Sequence, residues 1–183
     1  MVSPRRQRSA SAPGTVRIIA GRLRGSRLPV AERPGLRPTS DRVRETLFNW
    51  LQHDLHGAAI LDLFAGSGAL GFEAASRGAA RVLLVERDPT LAAGLRDSAV
   101  RLKVDTLEVR CADALAPGTL RTDEHFDGAF IDPPFAEGLW QQAIDVVLPH
   151  LRPRAWLYLE SPQAAEPRLS EGWLRHRQGS TRD

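Results

Sequence analysis

The sequence predicts an α/β domain built on a doubly wound, mostly parallel sheet, and three observations predict it. From residue 59 onward, strand-like runs (AILDLF, RVLLVE, TLEVRC, FDGAFI, RAWLYLE) alternate with stretches of helical periodicity. A glycine-rich turn, Gly66-Ser67-Gly68-Ala69-Leu70-Gly71, follows the first run directly and opens a helix. Finally, Asp62, Glu86, Asp113 and Asp132 stand at the ends of successive runs. The carboxyl edge is where open parallel sheets bind their ligands.

Each element has its own local reason. The first 14 residues, MVSPRRQRSASAPG, lack the apolar stretch of a secretory signal, and Pro4, Pro13 and Gly14 oppose an amphipathic transit helix, so a disordered basic tail is expected. TVRIIAGRLRGSRLPV alternates apolar and basic residues around Gly21 and Gly25, which suits a small hairpin exposing Arg17, Arg22, Arg24 and Arg27. In RPTSDRVRETLFNWL, Pro38 and a cluster of capping residues precede a helix with Val43, Leu47, Trp50 and Leu51 on one stripe and Arg42, Glu45 and Asn49 opposite. Next come the strand AILDLF and a helix over about residues 69–77, then the strand RVLLVE and a helix with Asp88 as N-cap and Pro89 at its first position. That second helix carries Leu91, Leu95, Ala99 and Leu102 on one face; a later one carries Trp140, Ile144, Val147 and Leu151. A last strand is expected at 173–177, after which the chain stops where a partner strand would stand. The division expected is a tail over 1–14, a basic RNA-binding extension and helix over 15–56, and the α/β domain over 57–183.

Composition narrows the class. The chain of 183 residues is 42% hydrophobic and 26% charged, which is a soluble globular composition, and no apolar run reaches the ~18 residues that span a bilayer. Cys111 is the sole cysteine, so an intrachain disulfide and a cysteine zinc site are excluded, and a cytoplasmic monomer is expected. His53, His56, His125, His150 and His176 show no metal-ligand spacing, so no metal is expected. The net charge of +3 is unevenly distributed: residues 1–44 hold eleven Arg against Glu32 and Asp41. An acidic body with a basic arm is the arrangement of a protein that grips a polyanion.

The glycine turn matches a dinucleotide fingerprint, but its neighbours do not suit one. Asp62, four residues before Gly66, would repel a pyrophosphate, and several acids along one crevice require a donor-rich, partly cationic ligand. S-adenosylmethionine has those properties: a sulfonium, an ammonium, ribose hydroxyls and an adenine amine. Glu86 can then accept the ribose hydroxyls and Asp113 the adenine amine, while Gly66 and Gly68 admit the methionine part, with Asp62 near it. Phe64, Ala65 and Ser67 of the loop, with Arg87 and Ala114 beside the acids, complete this expected cofactor set.

The turn Asp132-Pro133-Pro134-Phe135 is the expected catalytic element. Its prolines fix the backbone and withhold N–H donors, so it presents a carboxylate and carbonyls. Such acceptors suit an exocyclic amine, whose conjugated lone pair is a poor nucleophile; accepting its N–H bonds aims that pair at a methyl carbon, and Asp132 can take the released proton. Phe135 offers a face on which to stack a splayed base.

Together RIIAGRLRGSRLPV, GLRPTSDRVRETLFNWL, LDLFAGSGALGFEAASRGA and IDPPF resemble the RsmD family, the bacterial 16S rRNA guanine-N2 methyltransferases. The resemblance implies a Rossmann-like class I fold that uses S-adenosylmethionine to methylate N2 of one guanine in 16S rRNA of an assembled or partly assembled small ribosomal subunit. It also implies a further sheet strand after the last one here. Carried over by motif, Asp132 to Phe135 are the catalytic turn, and Asp62, Gly66, Gly68, Glu86 and Asp113 the cofactor site. The same resemblance makes Arg37, Thr39, Arg42 and Arg44 contacts at the target entrance. Two other readings compete: a DNA adenine-N6 or cytosine-N4 methyltransferase, and a non-catalytic RNA-binding assembly factor of the same fold.

Overall fold

The computed structural model describes residues 14–30, 41–162, 165 and 167–179, without the side chain of Phe135. Residues 1–13 of the expected tail, together with Arg37 and Thr39, lie outside those residues, while the Gly14 carbonyl accepts from the Val30 amide. Strands β1 (Thr15–Arg17) and β2 (Arg27–Pro29) pair antiparallel, Val16 opposite Leu28, as the expected hairpin. Helix α1 (Asp41–Trp50) follows, then β3 (Ala59–Asp62), α2 (Ala69–Ser76), β4 (Arg81–Glu86), α3 (Pro89–Arg101), β5 (Leu107–Cys111), β6 (Phe126–Ile131), α4 (Trp140–Val147) and β7 (Leu151–Leu159). The five later strands form one sheet in the order β5-β4-β3-β6-β7, and every pairing in it is parallel. The doubly wound architecture is as the sequence predicts.

The strand period of two divides the core between the faces of this sheet. Ile60, Val82, Leu84 and Phe130 point to one face, against α1, α2, α3 and the hairpin residues Ile18, Leu23 and Leu28. Leu61, Leu83, Val85, Ala129 and Ile131 point to the other, against Ala143, Ile144 and Val147 of α4. Chain order runs β3, β4, β5 toward one edge and then crosses back to place β6 on the free side of β3. The switch point therefore falls between β3 and β6, and its crevice is the expected ligand position.

Two glycines are required by packing here. A Cβ on Gly71 would lie 2.1 Å from Leu84 Cδ2, so only glycine lets α2 rest directly on β4. A Cβ on Gly128 would lie 2.1 Å from the Trp156 ring, which lies over β6 in its place.

The hairpin is clamped to α2. Glu73, fully buried, accepts hydrogen bonds from the Ile19 and Ala20 amides at 2.7 and 3.0 Å and from Arg77 Nε at 2.7 Å. Ser76 Oγ accepts from the Leu23 amide and donates to the Ala20 carbonyl, and the Ser76 carbonyl accepts from the Arg22 amide. Gly21, at φ +79°, passes so close to Ser76 that a Cβ would lie 2.0 Å from its carbonyl oxygen.

The expected strand at 173–177 is not present; those residues are irregular. Leu174 is 88% exposed, and Arg177 lies over the Trp50 ring at 5.7 Å instead of joining the sheet. Trp173 and Leu174 alone bury too little apolar surface to hold a strand.

Glu73→Ala should cost about 3 kcal/mol, because it leaves buried amides and Arg77 without their acceptor. Denaturant unfolding measures that loss, and hydrogen exchange should quicken at Ile19 and Ala20 well before the central strands.

Candidate active site

The carboxyl edge of the sheet carries the site. Glu86 ends β4, Asp62 ends β3, and Asp132 and Glu160 directly follow β6 and β7. Four neighbouring strands thus bring four carboxylates to one edge, with Asp62, level with Leu84 and Phe130, set two residues deeper than Glu86 and Asp132. The Asp113 carboxylate lies after β5, exposed, where Oδ1 accepts from the Leu115 amide at 2.9 Å and shapes its own turn. Ala114 beside it is buried in the α4-side core.

Two of the acids also build the loops around them. Glu86 accepts from the Gly66 amide through Oε2 at 2.9 Å and from the Asp88 amide through Oε1 at 2.8 Å. It ties the glycine loop to the start of α3, where Asp88 caps the Thr90 and Leu91 amides as expected. Each carboxylate oxygen can accept a second bond, so this role leaves capacity for ribose hydroxyls. Asp62, nearly fully buried, accepts from the Gly71 amide at 3.0 Å. Gly68, the N-cap of α2, has no side chain to offer, and Asp62 caps the first turn from the neighbouring strand. Burial pushes its carboxyl up to about 7, against the lowering effect of the Gly71 bond and with a further push from Glu86.

The glycines divide their work. Gly66, at φ +51°, faces open space, where a Cβ would meet nothing nearer than the Phe64 carbonyl at 4.0 Å. Gly68 faces inward: a Cβ there would lie 2.5 Å from Leu95 and 2.9 Å from Phe72. Its lack of a side chain is therefore demanded by helix packing. The loop of Phe64, Ala65, Gly66 and Ser67 lies between the ends of β3 and β4, with the Ala65 amide bonded to the Val85 carbonyl.

Asp132 is the most perturbed acid. Burial, then the charges of Glu160 and Asp62, push its carboxyl up to about 8. Glu160 is within hydrogen-bond reach of it, and Tyr158 Oη donates to Glu160 Oε1 at 2.7 Å. Beneath them Phe48, Phe130, Trp156 and Tyr158 form an apolar floor, with successive ring centroids from Phe130 at 5.7, 5.1 and 6.1 Å. Pro133 is buried, and the Pro134 carbonyl accepts from the Glu137 amide to close a short 3-10 turn at Phe135–Glu137. Arg87, expected at the cofactor, grips Glu137 with both terminal nitrogens at 2.6 and 3.1 Å, strapping the end of β4 to the turn that follows Asp132.

The basic residues separate by side. Arg17, Arg22, Arg24, Arg27 and Arg42 are exposed. Arg44, expected as an RNA contact, is fully buried: its Nη2 donates to the Arg17 carbonyl at 2.8 Å and to Asp41 at 2.7 Å. It pins β1 to α1 and has no surface to present. Among the described residues no group of acidic, His or Cys side chains could hold a metal ion, and no helix is long and apolar enough to cross a membrane.

A family model described as conserved hypothetical protein 95 matches residues 16–182. Ribosomal RNA small subunit methyltransferase D of Haemophilus influenzae is 43% identical over 168 residues, covering 89% of this chain and 87% of that protein. The chain belongs to the RsmD family. The protein of the same name from Escherichia coli K12 is 42% identical over 171 residues, covering 92% of this chain and 86% of its own. The crystal structure of a putative methylase from Haemophilus influenzae superposes with a TM-score of 0.78 at 39% identity, over 92% of this chain and 93% of that one. Membership in the RsmD family makes the chain a methyltransferase with the Rossmann-like class I fold, and the acids and glycine loop above lie at that fold's switch point.

Glu160 and Tyr158 are the site residues that the sequence reading did not single out. The signal was present, since RAWLYLE ends in an acid as the earlier runs do.

Asp132 can take the proton released by the amine only as the carboxylate. With its carboxyl at about 8, kcat/KM for methyl transfer should fall as pH drops below about 8. The charged or titratable groups facing it are Asp62 from β3 and Glu160 and Tyr158 from β7. Glu160→Gln removes one negative neighbour and should move the fall to lower pH; a profile that is flat through neutrality in both proteins contradicts this assignment.

Proposed function

We propose that this chain transfers a methyl group from S-adenosylmethionine to the exocyclic N2 of a guanine in 16S rRNA of the small ribosomal subunit. The observation that carries the reading is the Asp132-Pro133 acceptor pair, set beside Asp62 at the sheet's switch point over an apolar floor. Relatives named for ribosomal RNA small subunit methylation, similar over most of their length, support the substrate class.

The cofactor fits the donor set. Protonation of Asp62 and Asp132 is favoured by burial and by mutual repulsion, so the crevice is short of positive charge and hydrogen-bond donors, both of which S-adenosylmethionine carries. Asp62 and the open side of Gly66 would take the methionine end, Glu86 the ribose and Asp113 the adenine amine. Bound there, the cofactor supplies an electrophilic methyl carbon on a sulfonium. Asp132 and the Pro133 carbonyl accept the two N–H bonds of the target amine, which holds the nitrogen lone pair away from the ring's π-system. Asp132 then holds the proton that the amine loses. Phe135 is proposed as the stacking surface for the splayed base, and the exposed Arg17, Arg22, Arg24, Arg27 and Arg42 as phosphate contacts. Arg37 and Thr39 retain their proposed place at the target entrance.

The test is transfer of labelled methyl groups to undermethylated small subunits, naked rRNA and DNA, followed by mass analysis of the nucleosides. N2-methylguanosine from the subunits is expected; N6-methyladenosine or N4-methylcytosine from DNA would overturn the reading, and no labelled product would favour a non-catalytic assembly factor. Asp132→Ala should abolish transfer while changing cofactor affinity by less than about threefold, since a residue that touches only the amine adds nothing to binding the donor.

A further inference from the structure

Glu160 sits where a second acceptor for the target base would stand. β6 and β7 run parallel with Ile131 opposite Leu159, and the Glu160 amide donates to the Ile131 carbonyl at 2.9 Å, so Asp132 and Glu160 leave adjacent strands at the same level. The phenol of Tyr158, packed edge-on against Phe130, donates to Glu160 Oε1 at 2.7 Å and fixes that carboxylate's orientation. A carboxylate has about four acceptor positions, and Tyr158 uses one of them.

Guanine is the base whose methylated amine has a ring N–H next to it. Its Watson–Crick edge presents the N2 amine and N1–H as contiguous donors, whereas the amines of adenine and cytosine have a ring nitrogen lone pair beside them. Two side-by-side carboxylates match the first edge and repel the second. Resting on the guanine-N2 reading above, we propose that Glu160 accepts the N1–H of the target guanine and is the residue that makes this site specific for guanine over bases that carry a ring lone pair in place of N1–H. Burial and then the charge of Glu160 favour a proton on Asp132 in the free protein; N1–H and N2–H of the base supply the donors that replace it. Exclusion of the wrong base is then by an unpaired lone pair facing a half-buried carboxylate.

The test uses small-subunit rRNA assembled from ligated fragments with ribosomal proteins, carrying either guanine or 2-aminopurine at the mapped methylation position. 2-Aminopurine keeps the amine but replaces N1–H by a lone pair. The wild-type protein should favour guanine by roughly 100-fold in kcat/KM, the worth of one hydrogen bond to a charged acceptor. Glu160→Gln, whose amide can donate to that lone pair, should compress the preference below roughly 10-fold by gaining on 2-aminopurine. An unchanged preference overturns the role of Glu160. Nucleoside analysis of the same reactions keeps the two claims apart: methylated adenine or cytosine defeats the guanine-N2 reading itself, whereas methylated guanine with an unmoved ratio defeats only the part assigned to Glu160. Should Glu160→Gln not fold, Tyr158→Phe releases the carboxylate's orientation and should also narrow the preference; an unchanged ratio in that variant overturns the proposal equally.

Discussion

The crowding of carboxylates at one end of a parallel sheet is the constraint on which the rest of this molecule depends. Parallel strands all end on the same side, so acids placed at their last residues must come together, and Glu86, Asp62, Asp132 and Glu160 do. The opposite treatment of acids elsewhere shows what is unusual here. Around the buried Glu124, Arg81, Arg110 and Arg121 approach to 3.0 Å or less, and with these arginines bound Glu124 and Glu108 are held below the usual carboxylate range. Those acids are neutralised within the fold. At the carboxyl edge, the neighbours that act on Asp132 are acids, and the result is the reverse shift.

This crowding is tolerated because the acids also hold the site together. Asp62 caps α2 through Gly71, and Glu86 fastens the glycine loop to α3. Through α2 the same framework reaches the hairpin, whose loop is bonded to Glu73 and Ser76. The basic surface is thus rigidly referred to α2, so an RNA gripped by the hairpin would be held in fixed relation to the crevice. Arg87 and Glu137 close the remaining gap, between the end of β4 and the turn that follows Asp132.

Much of this was legible in the sequence because it rests on local rules. Alternating apolar runs gave the strands, Asp88-Pro89 the start of α3, and acids at run ends the gathering of carboxylates at one edge. What was not legible depends on which way a polar side chain turns inside the fold. Arg42 and Arg44 are two residues apart on one helix, yet one is exposed and the other is sealed inside, bonded to the Arg17 carbonyl. Helical periodicity cannot show this, because Arg44 lies in the same buried stripe as Leu47 and Phe48 and looks like a surface cation by type alone. Glu73 was hidden for the same reason, as a charge on an otherwise apolar helix whose partners are backbone amides about fifty residues away. Gly68 fits the ligand fingerprint but is required by Leu95 and Phe72, contacts that exist only once α2 and α3 are packed.

The most direct measurement is the number of protons released when the donor binds, from calorimetry at pH 7 in buffers of different ionisation enthalpy. Asp62, at about 7 and proposed at the methionine end of the donor, is partly protonated in the free protein at that pH, and a bound cation should expel part of that proton. S-adenosylmethionine is expected to release protons, and S-adenosylhomocysteine, which lacks the sulfonium charge, to release fewer. If neither ligand releases protons, or both release the same number, the crowded acids are not what reads the positive charge of the donor.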